Sequence, residues 1–389
     1  MLVDHIILKN WRNFPAVDVS LGNRVFLVGP NACGKSNFLD VFRFLHDLAK
    51  PGGGLQRAIS TRGGLFQIRC LSATFSSSPD IEIEIHLAPA PYQKQIWKYA
   101  IGIRQHQGDD RQPYVSYERV WKGETMLLSR PDKEDEKDEL RLTQTHLEQI
   151  SANGEFRAIA KFFQSVLYLH LVPQLLRHPQ AFSGYGVSED PFGRSFLERV
   201  TKTPEVIRQE RLAIIEKALR IAVRELNHIT LIKDEMGIPH LQAKYEHWHG
   251  DAGKQSEEQF SDGTLRLIGL LWSLLENESL LLLEEPELSL NPGIVRKLPS
   301  LMYRIQSQQP KQIISSTHSV ELLSDPGIGG EEVLLLTPSI DFDGTLGTQV
   351  QLASSFLDVR DLLEGGLSVA EAVLPKTIPS EVYQLELRL

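Results

Sequence analysis

The segment Gly29-Pro30-Asn31-Ala32-Cys33-Gly34-Lys35-Ser36 has the spacing G-x-x-x-x-G-K-[ST] and follows Arg24–Val28, which reads as a buried strand. Residue types at this spacing hold a phosphate chain. Glycines let backbone N–H groups turn inward, and the following helix adds its N-terminal dipole. Lys35 supplies positive charge for the β- and γ-phosphates, Ser36 offers a hydroxyl to Mg²⁺, and Asn37 stands beside them as a further binding candidate. A second set, Leu280–Leu283 followed by Glu284, Glu285, Pro286 and Glu287, ends an apolar strand in carboxylates. There Glu284 would hold the metal through water and Glu285 would orient or deprotonate an attacking water. Phe260-Ser261-Asp262-Gly263-Thr264 opens an apolar helix with natural capping residues and an approachable glycine N–H. Finally, Gln312–Ser316 ends at Thr317-His318-Ser319, where a neutral imidazole could sense or polarise a terminal phosphate.

The elements that position these residues are legible as patterns. Val3–Leu8 and Val17–Leu21 alternate as strands, and Arg24–Val28, the glycine-rich turn and a helix from about Lys35 make a strand, loop and helix unit. Period-two alternation at Ile81–His86 and in parts of Gln95–Arg104 and Tyr114–Trp121 predicts an antiparallel sheet. Asp132–Glu139, with charges of both signs and no apolar residue, reads as a solvated loop. From Gly154 the period becomes helical, broken by a loop at Ser183–Arg194. Pro204–Leu226 reads as one long helix with an apolar face at Ile207, Leu212, Ile215, Leu219 and Ala222. Strands at Ile229–Lys233 and His240–Trp248 come next. A helix at Leu265–Leu275, then strand, helix and strand, predicts a parallel α/β core.

Composition sets the outer bounds. With 41% hydrophobic residues over 389, the chain can bury a substantial core. A formal charge of −9 argues against a protein that coats nucleic acid over its whole surface and leaves room only for a local basic groove. Two cysteines, Cys33 and Cys70, do not make a disulfide framework and favour a reducing cytoplasm. Neither the opening residues nor Leu265–Leu275 reads as a signal peptide or a bilayer span, so a soluble protein without a membrane partner is expected.

In order and spacing these motifs resemble the ATP-binding cassette heads of SMC, RecF and OLD-like proteins, P-loop ATPases of the AAA family, over most of the chain. The resemblance implies ATP and Mg²⁺ as ligands and an α/β cassette fold with a mixed, largely parallel core sheet, an antiparallel β subdomain and an inserted helical lobe. The expected division is an ATPase core at 1–94 and 229–389 and an inserted β/helical region at 95–228. Gly29–Ser36 stands for the Walker A loop, Ser261-Asp262-Gly263-Thr264 for the signature, Leu280–Glu285 for Walker B with its catalytic glutamate, Leu288–Asn291 for the D-loop and His318 for the switch histidine. In this family the signature acts in trans, which implies a homodimer with two ATP molecules between its chains. Arg12 and Asn13, in Asn10-Trp11-Arg12-Asn13-Phe14, occupy positions that contact phosphate.

The sequence also departs from the family. Glu284 stands where an aspartate is usual, which is compatible with slow hydrolysis, and Asp262 and Thr264 replace the transporter signature pattern. Gln67 is taken as the Q-loop residue at the metal, with Gln56 as its competitor. His247 and His249 share a strand face without a third ligand, so an edge strand is expected there rather than a metal site. OLD proteins carry a TOPRIM nuclease domain, whereas about seventy residues follow His318, so an effector is expected to act in trans. The reading is an ATPase whose closure controls DNA or a partner effector such as a nuclease or toxin, in anti-phage defence or DNA maintenance. The alternative is a weakly hydrolysing, nucleotide-gated scaffold that holds a partner inactive. A transporter subunit is disfavoured by the large inserted lobes and by the signature.

Overall fold

The structure is a computed structural model that describes residues 1–70, 80–90, 93–105, 112–178, 192–246, 253–340 and 346–379. The chain opens with β1 (Leu2–Trp11), β2 (Phe14–Ser20) and β3 (Arg24–Val28), then α1 (Lys35–Ala49), α2 (Leu55–Ser60) and α3 (Leu65–Ile68). Next come β4 (Ile81–Ala88), β5 (Trp97–Gln105), β6 (Pro113–Lys122) and β7 (Thr125–Arg130), α4 (Lys133–Lys137), α5 (Arg157–Gln164) and β8 (Val166–Leu169). The helices α6 (Pro173–Arg177), α7 (Phe196–Lys202) and α8 (Glu205–Ala222) lead to β9 (Leu226–Lys233), β10 (Pro239–Tyr245), β11 (Lys254–Ser256) and α9 (Asp262–Leu275). The rest is β12 (Leu280–Glu284), α10 (Pro292–Val295), α11 (Leu298–Gln306), β13 (Gln312–Ser316), α12 (Val320–Leu323), β14 (Val333–Ile340), β15 (Leu346–Leu352), α13 (Leu357–Glu364) and α14 (Val369–Val373).

Two compact units share the chain: residues 1–167, 278–282 and 306–389 in the first, 168–277 and 283–305 in the second. β5 is hydrogen-bonded along β4 and β4 along β1, so one antiparallel sheet runs across residues 94 and 95.

In the first unit, an antiparallel sheet has the order β2-β1-β4-β5-β6-β7. A second sheet runs β15-β14-β3-β13-β12-β8, with β3 parallel to both β13 and β14. All five residues of β3 are buried, as a strand enclosed on both faces requires. An aromatic cluster packs α1 onto β1 and β2: Trp11 lies 5.3 Å from Phe44, and Phe14 lies 6.3 Å from Phe38. Such pairs add about 0.5–1.5 kcal/mol each beyond the area they bury.

Two expectations are corrected. Asp132–Glu139 is not a loop throughout, because Asp132 caps α4 through the N–H groups of Glu134 and Asp135. The reason lies inside: Arg130 is fully buried and its guanidinium pairs with Asp135 at 2.9 Å and Glu118 at 3.1 Å. The apolar face of α8 also differs. Leu212, Ile215 and Leu219 are buried, but Ile207 is 40% exposed and lies on the opposite side with Ile214 and Ile221. His247 and His249, and most of the loop expected at Ser183–Arg194, lie outside the described residues.

The second unit packs α8 against α9 and carries the small antiparallel sheet β11-β10-β9. Phe196 sets its ring edge-on to Trp272 at 6.3 Å between α7 and α9. No helix among the described residues is long and apolar enough to cross a membrane.

Candidate functional site

In the first unit, β3 delivers the phosphate-loop motif and α1 receives it. The turn needs its glycines. A Cβ on Gly29 would stand 2.4 Å from the carbonyl oxygen of Leu336 on β14, and one on Gly34, at φ 96°, would strike the Asn13 amide at 2.2 Å. Ala32, at φ 62°, holds a second left-handed turn that a side chain tolerates only under constraint. The constraint is visible: Asn13 Nδ2 donates to the Cys33 carbonyl (2.8 Å), and Asn37 Nδ2 donates to Asn13 Oδ1 (2.7 Å). The first helical hydrogen bond of α1 runs from Phe38 to Gly34, so the amides of Lys35, Ser36 and Asn37 belong to the first turn, where an anion is favoured.

Lys35 is 8% exposed, and its ammonium donates to the carbonyls of Gly29 (3.0 Å) and Pro30 (2.9 Å). The charge is thus held over the loop itself. Burial pushes the Cys33 thiol up, against the opposing pull of Lys35, so Cys33 is a neutral packing group and not a reactive thiolate. A glycine cradle, a helix N-terminus, a buried ammonium and the Ser36 hydroxyl form a donor set that fits a phosphate chain with magnesium.

Arg12 and Asn13 divide their work. Trp11 and Phe14 enter the core, while Arg12, at φ 50°, pairs with Asp40 of α1 at 2.5 Å. Arg62 also binds Asp40 (2.9 Å) and bridges on to Asp47 (2.7 Å). Burial raises the Asp40 pKa, but Arg62, Arg12 and Arg43 outweigh it and hold the carboxyl below its usual range. Gln67 is exposed on the short α3. Gln56 is committed to the carbonyls of Pro113 and Thr143, both at 2.8 Å. His318 follows β13, whose Ser316 stands opposite Leu27 of β3, and the Thr317 N–H donates to the Leu27 carbonyl (3.1 Å). That register sets His318 beside the strand end that opens the phosphate loop.

The signature and the Walker B carboxylates belong to the second unit. Ser261 caps α9: its Oγ accepts from the Thr264 N–H at 3.2 Å and meets the Thr264 hydroxyl at 2.8 Å. Asp262 is held by Arg177 (2.6 Å) and Gln174 (3.0 Å), both from α6. A Cβ on Gly263 would stand 2.7 Å from the Ser289 carbonyl oxygen, so the signature glycine lets the helix start lie directly against the D-loop. Ser289 itself is left-handed at φ 61°. At the end of β12 the Glu284 carboxylate accepts from the Tyr168 hydroxyl. Glu285 sits at φ 44°, a conformation that costs a non-glycine residue on the order of 1–3 kcal/mol. Arg266, 4% exposed on α9, donates to the Glu285 carbonyl (3.1 Å) and to the Leu171 carbonyl. Burial lowers its pKa, against the raising pull of Glu287, Glu285 and Asp262.

The structure therefore gathers Asn13, Gly29–Asn37 and His318 in one unit and Ser261–Gly263, Glu284 and Glu285 in the other. Sequence reasoning missed Tyr168, Gln174, Arg177 and Arg266. Arg266 sits within the apolar run Leu265–Leu275, and a charge there was the one available signal.

The comparisons agree with this architecture. Residues 24–324, well over half of the chain, match the family described as "AAA domain, putative AbiEii toxin, Type IV TA system", and the chain belongs to that family. Among solved structures it is similar to the SmcHead bound to the C-winged helix domain of ScpA, with TM-score 0.51, 14% identity, and 91% of this chain and 99% of that one covered. It is also similar to the Smc head with an extended coiled coil bound to the C-terminal domain of ScpA derived from Pyrococcus furiosus (0.46, 13%, 93% and 98%). The SMC head domain from Thermotoga maritima is a further neighbour (0.42, 12%, 90% and 98%). The first likeness gives the fold, that of an SMC-type ATPase head. No curated protein matches the chain. The chain thus combines membership of this AAA family with the fold of an SMC head.

Proposed function

We propose that this chain binds ATP with Mg²⁺, hydrolyses it slowly, and closes on a second copy so that Ser261 and Gly263 of each chain meet the phosphates held by Lys35 of the other. Closure then controls DNA or a partner effector such as a nuclease or toxin, in anti-phage defence or DNA maintenance. The observation that carries the reading is the link from signature helix to catalytic turn: Arg266 and the Gly263–Ser289 approach tie the start of α9 to Glu285 and the D-loop. A phosphate arriving at Ser261 is thereby felt at Glu285.

Within that site Lys35 neutralises the phosphate chain, and Asn31–Asn37 present backbone N–H groups to it. Asn13 braces the loop through the Cys33 carbonyl and Asn37, while Arg12 anchors α1 through Asp40. Magnesium, with Ser36, Glu284 and Gln67 as its candidate holders, supplies charge neutralisation on the phosphates. Glu285 orients or deprotonates the water, and His318 senses the terminal phosphate. The AbiEii-type description of the family, and the ScpA-bound SMC neighbour, both support a head that works opposite a partner protein.

A second reading, a nucleotide-gated scaffold that hardly hydrolyses ATP, is favoured by one contact. The Tyr168 hydroxyl engages the Glu284 carboxylate, the group assigned to the metal. ATP turnover of the wild type and of Glu285→Gln separates the two. A rate abolished by the substitution is expected; tight ATP binding with no wild-type rate would instead establish the scaffold.

A further inference from the structure

The helix α8 turns two faces outward from its axis, and only one of them is used within the second unit. Leu212, Ile215 and Leu219 are buried on the inner face. On the outer face Ile207 is 40% exposed, Ile214 46% and Ile221 85%, with Val206 at 79% beside them. The three isoleucines are seven residues apart, so they form one stripe along an α-helix, as in the seam of a two-helix contact. Exposing β-branched residues in such a row is costly unless something covers it.

The charges beside the stripe say what fits it. Between the isoleucines lie Glu210 and Lys217, both exposed, which fill the alternate seam positions. Other charged groups of the helix are engaged inside the unit. Arg208 donates to the carbonyls of Thr201 and Thr203, Arg211 stacks over Trp272 at 5.4 Å, and Glu216 accepts from the Ile229 N–H. What remains along the stripe is acidic in the first half, at Glu210, and basic in the second, at Lys217, with the exposed Arg220 and Arg224 following it. This helix complements itself when inverted.

We propose that α8 is a self-association surface that pairs antiparallel with α8 of a second copy, about a two-fold axis through Ile214, independently of nucleotide. In that arrangement Ile207 packs on Ile221 of the second copy, Ile214 on its own counterpart, and each Glu210 lies beside a Lys217. A parallel arrangement would instead set Glu210 against Glu210 and Lys217 against Lys217, and like charges across a seam are unfavourable. An isologous contact of this kind is the simplest way for one chain to cover its own patch. The 18-residue helix is about 27 Å long, so a single helix pair buries less than the roughly 1,200 Å² of a standard stable interface. Alone the contact is weak. Joined to a second contact elsewhere in the chain, it would gain from effective concentration and link copies into larger assemblies.

The test uses the full chain in a Lys35→Ala background without nucleotide, so that ATP-driven closure cannot contribute, with the buried Cys33 and Cys70 left in place. Ile214→Cys is expected to give a covalent dimer on mild oxidation, as is Ile207→Cys combined with Ile221→Cys, while Ile207→Cys alone gives several-fold less. In the Ile214→Cys protein, Glu210→Lys or Lys217→Glu alone should cut the yield several-fold, and the two together should restore it. Equal cross-linking of Ile207→Cys, Ile214→Cys and Ile221→Cys singly would mean parallel pairing and overturn the proposal. So would an Ile214→Cys protein that stays monomeric with an unchanged thermal melt, whether its introduced thiol is free to react with a maleimide or shielded by its own chain. Because no nucleotide is present, these outcomes leave the ATP-dependent closure proposed above untouched.

Discussion

Arg266, in the second turn of the signature helix, donates a hydrogen bond of 3.1 Å to the carbonyl of Glu285, whose backbone is held at φ 44°. A buried guanidinium thus holds the peptide that aims the carboxylate proposed as catalytic, and it stands on the helix whose first residues are proposed to read the partner chain's ATP.

Replacing Arg266 by Met keeps its volume and removes those donors. ATP binding, measured by fluorescence titration, should change less than two-fold, because the phosphate loop lies in the other unit. Turnover should fall by about ten-fold or more, a loss of about 1.4 kcal/mol in transition-state stabilisation. Equal loss of binding and turnover would assign Arg266 to general stability instead.

The phosphate loop makes a steric prediction. Gly29→Ala forces a Cβ to within 2.4 Å of the Leu336 carbonyl oxygen, a backbone atom that cannot step aside. Loop and β14 must then separate. Loss of ATP binding together with a lower melting temperature is expected, whereas Lys35→Ala should lose binding with little change in melting temperature.

How far the site was legible in sequence follows from the same residues. Gly29, Gly34, Lys35, Ser36 and the strand ending in Glu284 announce themselves because their chemistry demands fixed spacing along one segment. Arg12 and Asn13 were legible as a pair, but not the bonds they make. Asn13 ties Cys33 to Asn37, and Arg12 joins Asp40 and Arg62, contacts that depend on how α1 and α2 pack. Tyr168 reaches Glu284 across 116 residues of sequence, and no local pattern records that. The long α8 was legible, yet its inner and outer faces are both apolar, so periodicity alone misplaced Ile207. Asp135 was hidden among charges whose solvated appearance is right for most of them and wrong for the one Arg130 needs.

That buried cluster should dominate the stability of the first unit. Arg130→Met leaves Glu118 and Asp135 inside without their cation, and removing one partner of a buried pair typically costs about 3–5 kcal/mol. Combining Arg130→Met with Glu118→Gln and Asp135→Asn should recover much of the loss in denaturant melts. No recovery would mean that the geometry of Arg130, rather than the stranded charge, is what matters.

Nearby, burial pushes Glu148 up to about 7, the neighbouring Glu118 adding to the effect while N–H groups of Leu55 and Thr145 oppose it. Its carboxylate accepts the Leu55 N–H at the start of α2 at 2.7 Å. The folded state therefore holds a proton that the unfolded chain releases near 4.5, the ordinary value for a glutamate. Stability from this group is full below about pH 4.5 and is lost as pH rises to about 7. Glu148→Gln, which keeps an acceptor for Leu55, should raise the melting temperature at about pH 8 and make no difference near pH 4.5. A gap that stays constant with pH would show that Glu148 does not titrate in this window.

The most direct test of the central claim is the mass of Glu285→Gln by light scattering, without nucleotide and with Mg-ATP, in a chain carrying Glu210→Lys to weaken the α8 contact. The account expects Mg-ATP to raise the assembly two-fold, and expects that rise to vanish when Lys35→Ala or a bulky substitution at Ser261 is added. A mass indifferent to Mg-ATP, in a protein that demonstrably binds it, would contradict closure around ATP.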